Sequence, residues 1–344
     1  MFGKMMNNYY YGKSGKGDFR KEDLPQNRRQ LFTDTLKTRL SALCRINLLY
    51  MLIFLPAMLV IMFSFTNVLS TTSNVLMIEQ NDYAAFVEQA TQNEQEISIT
   101  EEQYNELKNS DVNLGDMLDG TLFRMLLWLI PCIAITGPFT AGLSYITRNW
   151  ARDEHAFIWT DFKDAVKANW KQSLILSVIT SILPMAAYVG WRFYGQLAAQ
   201  NVIMMIPQVL VVLVGLIWAI SITYMHPLVV TYELKTKDVI RNGLLLGIAR
   251  LPMSVGIRLL HCVPALIGGL LIWFWNPMIG MLILFAYYAL IGFSISRFIT
   301  ASYTNAVFDR FINTRIEGAK VDQGLYKPED EDEEEEETEG ETDN

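Results

Sequence analysis

The sequence predicts an all-α membrane protein: six transmembrane helices arranged as three tandem hairpins, each preceded by an amphipathic interfacial helix. Three observations predict it. The 344 residues are 51% hydrophobic, and the apolar residues fall into blocks. Six blocks, near Ile46–Leu69, Leu122–Ile146, Ser173–Gly190, Val202–Met225, Met253–Trp275 and Met278–Ser296, approach or exceed the ~20 residues that cross a hydrocarbon core. None carries the polar face that a buried helix of a soluble protein shows every few turns. Lastly, one surface-helix pattern recurs three times, each copy leading into the first span of a pair.

In chain order, residues 1–30 mix Gly, Lys, Asn and Tyr without periodicity and are expected to form a mobile basic cytoplasmic arm. Such an arm suits an anionic membrane surface, and no nucleic-acid partner is needed to explain it. It is too long for the n-region of a cleaved signal peptide, and Phe2 excludes myristoylation. The membrane domain is expected over residues 31–315.

The recurring pattern opens at Phe32-Thr-Asp34-Thr-Leu36-Lys37, returns at Phe162-Lys-Asp164-Ala-Val166-Lys167 and, more weakly, at Thr236-Lys-Asp238-Val-Ile240-Arg241. A proline follows each aspartate inside the next span, at Pro56, Pro184 and Pro264. Copies in one register imply tandem units of surface helix plus hairpin. In the second copy the row Phe162, Val166, Trp170, Leu174 is apolar and the adjacent row Lys163, Lys167, Lys171 is cationic. An apolar stripe flanked by lysines suits a helix lying at a membrane surface. Lys37, Lys163, Lys167, Lys171 and Arg241 are therefore candidate contacts for lipid phosphates.

An acidic lobe is expected over 70–120, which holds eleven acidic residues and one lysine. Asp82–Asn93 and Thr100–Ser110 read as short helices, the second with Thr100 as N-cap and Gln103 three residues on. In the second span Pro131 and the pair Gly137-Pro138 predict a kink or a break. The fourth span ends at His226-Pro227. Trp191, Trp273 and Trp275 mark one interface, Trp150 and Trp170 the other. A last helix is expected around Val307–Ile312. Residues 316–344 read as a disordered acidic cytoplasmic tail, with twelve acidic residues between Glu329 and Asp343.

Charge sets the orientation. Net charge is −8, but the six-span map places 25 of the 28 Lys and Arg on one side, leaving Lys108, Arg124 and Arg192 at the other. By the positive-inside rule both termini are expected in the cytoplasm and the acidic lobe outside. Cysteine introduced at Ser110 should therefore label from outside intact cells, and cysteine at Ser14 should not; the reverse pattern would overturn the orientation.

Catalytic signatures do not appear: the sequence has no HExxH, GxSxG, Walker or Rossmann motif. The expectation is a non-enzyme without cofactor or metal. His155, beside Asp153-Glu154, reads as a surface histidine. Cys44, Cys132 and Cys262 lack CxxC spacing and read as small packing residues. Ionisable groups at membrane depth are functional candidates, and Arg258 and His261 share one face of the fifth span. With Pro131, Gly137 and Pro138 they form the set of candidate intramembrane polar and kink positions. No carboxylate lies deep in a span, which argues against a proton- or sodium-coupled carrier.

The run G-P-x-T-A-x-L-x-Y at Gly137–Tyr145, Arg148 and Arg152 beyond it, and the helix F-x-D-x-h-K-x-N-h-K-Q-S from Phe162 to Ser173 together resemble the YesL-like family of bacterial membrane proteins of unknown function. Asn47–Tyr50 and His226-Pro227-Leu228 also fit. The resemblance covers about residues 30–315 without the lobe, which is longer than that family's pattern. It implies a multi-pass bacterial plasma-membrane protein, often associated with carbohydrate-uptake systems and glycan-degradation genes. The expected function is a non-enzymatic accessory or regulatory protein beside a carbohydrate ABC importer, with its permease or binding protein as partner. The alternative is an independent small-solute transporter or channel.

Overall fold

The computed structural model describes residues 25–80, 82–92, 99–109 and 114–326. Most of the basic arm and the acidic run from 327 onward lie outside the described residues. Among the described residues eleven α-helices follow in order: α1 Arg28–Gln80, α2 Tyr83–Gln92, α3 Glu101–Asn109, α4 Leu114–Ala134, α5 Gly137–Trp150, α6 Thr160–Ala198, α7 Met205–Thr231, α8 Thr236–Ala249, α9 Leu251–Phe274, α10 Pro277–Tyr287 and α11 Phe293–Phe311. No strand occurs among the described residues. Among the described residues six helical segments are long and apolar enough to cross a membrane, contributed by α1, α4, α6, α7, α9 and α10–α11. Spanning helix α4 packs against both α1 and α6, α6 also packs against α7, and α9 packs against α10.

The surface helices join their spans differently from one another. In α1 and α6 each surface helix runs unbroken into its span. The third is separate: α8 stops at Ala249, and Pro252 starts α9, where its missing N–H leaves no intrahelical bond unmade. The second span is also shorter than expected. It ends at Ala134, and after a turn at Ile135-Thr136 the chain starts a new helix, α5, with Pro138 in its first turn. Residues 137–146 therefore belong to a distinct helix, not to the span.

That helix is the centre of the fold. Ten of its residues are buried, among them Leu143, Ile146 and Trp150. Leu43, Ile46 and Tyr50 of α1, Phe162 of α6 and Phe298 of α11 close around it in one cluster. A second cluster joins Leu176 of α6, Tyr224, Met225 and Leu228 of α7, Val239 of α8 and Phe308 of α11. Both lie at the end of the bundle that holds Arg28 and Asp309, called here the basic end. Toward the opposite end the spans leave Leu52, Phe63, Trp128, Leu270, Trp273 and Phe274 exposed. Lipid tails are as apolar as leucine, so a span gains little by hiding such groups from them. Helices that leave the bilayer face water, and there burial of one large apolar side chain stabilises by about 1.5–3 kcal/mol.

The lobe is a small packed unit. Tyr104 is 1% exposed, its ring against Tyr83 and Phe86 and its hydroxyl donating to the Ile78 carbonyl at 3.1 Å. Burial, and after it the charge of Asp82, raises the Tyr104 pKa. The N-cap of α3 forms as the sequence indicates: the Gln103 amide donates to Thr100 Oγ1 at 3.3 Å and the Thr100 amide to Gln103 Oε1 at 3.0 Å.

At the basic end, Arg28 pairs with Asp309 at 2.6 Å and also with Asp322. Asn313 donates to Asp309 Oδ1 at 2.6 Å, and the Tyr326 amide donates to the Pro25 carbonyl at 2.9 Å. Residues 316–326, placed with the tail by composition, are thus tied to the body through polar contacts that a count of charges does not reveal.

Candidate functional site

Six residues into the span from its proline start, α9 places Arg258, and one turn further His261. Helix α7 brings His226 beside them, and α11 brings Arg297 and Thr300. The charges of Arg258 and Arg297 are felt at both His226 and His261. His226 is 3% exposed, and its Nδ1 is buried without a hydrogen-bond partner, as is Nε of Arg258. His261 Nε2 lies 3.4 Å from Thr300 Oγ1. Among the described residues no carboxylate comes within ion-pair distance of Arg258 or Arg297.

The structure thus brings together two of the sequence-flagged positions, Arg258 and His261, and adds two that were missed. His226 registered only as the end of a span. Arg297 lies just past the assigned end of the sixth span at Ser296. The usable signal was the apolar-helical pattern continuing through Phe293–Phe311, which keeps Arg297 inside a helix. The other flagged positions lie elsewhere. Pro131 is exposed within α4, Gly137 is buried where α5 meets α6, and Pro138 is half-buried at the start of α5. Lys37, Lys163, Lys167, Lys171 and Arg241 are all exposed and spread over α1, α6 and α8. Lys37 sits 4.0 Å from Asp34 on its own helix, and Lys171 lies 5.6 Å from the Trp170 ring centroid.

Next to α5 at the basic end is a groove of about 920 Å³ between the start of α6 and the end of α7, lined by Tyr145, Asp161, Asp164, Lys171, Tyr232 and Glu233. Gln172 spans it, donating to the Leu234 carbonyl at 2.6 Å, and Trp170 on its rim is 47% exposed. Tyr232 donates to Asn313 Oδ1 at 2.6 Å; burial, then the Asp309 charge, pushes its pKa up to about 12. Arg148, behind the groove on α5, is moved below the usual guanidinium range by burial and then by Arg152. At the opposite end a cavity of about 600 Å³ between α4 and α6 holds Asp116, Arg124 and the ion pair Arg192–Asp119. Among the described residues no three His, Cys, Asp or Glu side chains gather as a metal site requires.

Fold and site together define a polytopic helical membrane protein whose core gathers at one end, with two arginines and two histidines on α7, α9 and α11. Residues 121–191, which hold most of α4, all of α5 and most of α6, match the family model described as a protein of unknown function, DUF624. Comparison with curated proteins and with solved structures finds no match to either.

Proposed function

We propose that the protein is a non-enzymatic accessory or regulatory membrane protein, with its basic end in the cytoplasm and the permease of a carbohydrate ABC importer as its partner. The observation that carries this reading is the groove at the basic end. One of its walls, Asp161–Gln172 of α6, lies in the stretch that matches DUF624. The groove offers charges of both signs and an exposed tryptophan, a composition suited to a protein partner. YesL-like proteins carry DUF624, and the association of that family with carbohydrate uptake supplies the choice of partner. The exposed lysines of α6 fit contact with an anionic inner leaflet, where each contributes on the order of 1 kcal/mol.

The protein should co-purify with such a permease in mild detergent, and Trp170→Glu with Asp164→Lys should abolish the contact while leaving the melting temperature within about 2 °C, as expected of exposed positions. An independent small-solute transporter or channel is the second reading, favoured by the arginines and histidines that α7, α9 and α11 carry within the helical bundle. The full-length protein alone in liposomes decides between them: flux of a sugar or an anion above that of empty vesicles would replace the accessory reading by the transporter.

A further inference from the structure

We infer that the acidic run from Glu329 to Asp343 docks on the lysine face at the start of α6, formed by Lys163, Lys167 and Lys171. The run lies outside the described residues; its root and the face it meets lie within them. This goes beyond the accessory reading and does not rest on it. The three lysines share one row, at the i, i+4 spacing, on the side of α6 opposite its buried Phe162, Ala165 and Ser173. All three are exposed, and among the described residues no carboxylate comes within ion-pair distance of any of them. Asp161 and Asp164 turn toward the groove, which Lys171 alone of the row lines. The twelve carboxylates of the run supply the opposite sign in excess. Lysines at i and i+4 rise about 6 Å apart, and an extended chain presents alternate side chains on one side about every 6.6 Å. Successive carboxylates can therefore meet successive lysines.

The root of the run is fixed beside this face. Residues 316–326 form a strap at the basic end. Asp322 pairs with Arg28, its amide donates to Asp309 Oδ2 at 3.3 Å, and Gln323 accepts from Arg152. Gly324, with φ +85°, lies so near Arg152 that a Cβ would sit 2.8 Å from its carbonyl oxygen. Beside Arg152, Trp150 and Ala151 pack with Ala156 and Phe162 in one cluster, which makes the strap and the first turn of α6 neighbours. Chain length bounds the distance. The eight steps from Arg152 to Thr160 cover about 29 Å at full stretch, and Lys171 lies about 17 Å further along α6. The chain from Gly324 to Glu341 reaches about 56 Å, enough to lay carboxylates along the whole row. Single exposed ion pairs are weak, but a tethered run presents its carboxylates at an effective concentration on the order of 1 mM. While docked, the run shields the lysines from lipid phosphate, and a strongly anionic leaflet displaces it.

The test is coupling of the purified full-length protein, in neutral detergent, with a zero-length carbodiimide that joins only carboxylates and amines in contact. Proteolysis and mass spectrometry should find amides between residues 329–343 and Lys163, Lys167 or Lys171 of the same molecule. Raising salt from about 0.05 to 0.5 M should cut their yield at least fivefold, because the contact is between exposed charges. Phosphatidylglycerol in the micelle should do the same, and phosphatidylcholine should not. Truncation after Lys327 keeps the strap and should raise the acetylation rates of the three lysines at least threefold, leaving Lys37 on α1 unchanged. Coupling confined to the amines of residues 1–24, coupling only between molecules, or acetylation rates that truncation leaves alone would overturn the docking. So would an equal rise at Lys37, the mark of a diffuse attraction, and coupling undiminished by phosphatidylglycerol would overturn the shielding.

Discussion

Gly137→Ala should unfold the centre of this protein, although it adds a single methyl group. A Cβ at position 137 would lie 2.3 Å from the Ser173 carbonyl oxygen and 2.7 Å from Ser177 Oγ. The serine hydroxyl can rotate away, but the carbonyl belongs to the backbone of α6 and moves only with the helix. Helix α6 is held in turn by Phe162, whose ring would lie 2.8 Å from a Cβ at Gly142 one turn along α5. Overpacking a well-filled interior costs about 1–3 kcal/mol, and a rigid obstacle places this site at the upper end. The measurement is the midpoint of thermal unfolding, read by size-exclusion in one detergent, with Gly215→Ala and Gly256→Ala as controls. Those glycines have no neighbour within 4 Å of an added Cβ, so alanine there should stabilise its helix by up to about 1 kcal/mol. If Gly137→Ala melts with the controls, the close approach of α5 and α6 is not what holds the fold.

The same contact explains which parts of the fold were legible beforehand. The spans were, because lipid demands long apolar runs and nothing else in the chain supplies them. The break before Gly137 was legible from Gly-Pro, whose ring and missing N–H stop a helix wherever it lies. The identity of α5 was not. A helix enclosed by protein and one enclosed by lipid have the same apolar, small-residue composition, so 137–146 read as the continuation of a span. In α1 the error ran the other way. Its surface portion and its span read as two elements because the side chains change from mixed to apolar near Ile46. That change marks where the solvent changes, not where the helix stops.

Within the candidate site the legible half was Arg258 and His261, three residues apart on one helix. Their partners come from α7 and α11, and only packing juxtaposes them. In the lobe the local Thr100–Gln103 cap could be read, while the burial of Tyr104 against Tyr83 and Phe86 is tertiary and could not. The Asn47–Tyr50 stretch drew attention only through a family resemblance, and the structure gives it a physical role. Asn47 meets the turn between α10 and α11, and the Tyr50 hydroxyl bonds Thr140 Oγ1 of α5 at 2.8 Å.

Asn47→Leu is the second substitution expected to be severe. Between α10 and α11 the chain passes through a π-helical turn, Tyr288–Gly292, and such a turn displaces backbone groups from regular helix bonding. Asn47 is fully buried and complements that turn from α1. Its Nδ2 donates to the carbonyls of Tyr288 at 2.8 Å and Ala289 at 2.7 Å, and its Oδ1 accepts from the Ser294 amide at 2.9 Å. Leucine has nearly the same volume and satisfies none of the three. Each buried group left unbonded costs about 1–3 kcal/mol, so the loss should reach several kcal/mol. Asn47→Asp keeps the acceptor but turns a charged oxygen toward two carbonyls, and should be no better tolerated. Tyr50→Phe, which forfeits one hydroxyl bond, should cost about 1 kcal/mol. Hydrogen exchange over residues 288–294 separates a local from a global effect: Asn47→Leu should speed exchange there before the rest of α11 responds. Equal protection of that turn in the variant and the wild type would show that the π-turn stands without Asn47.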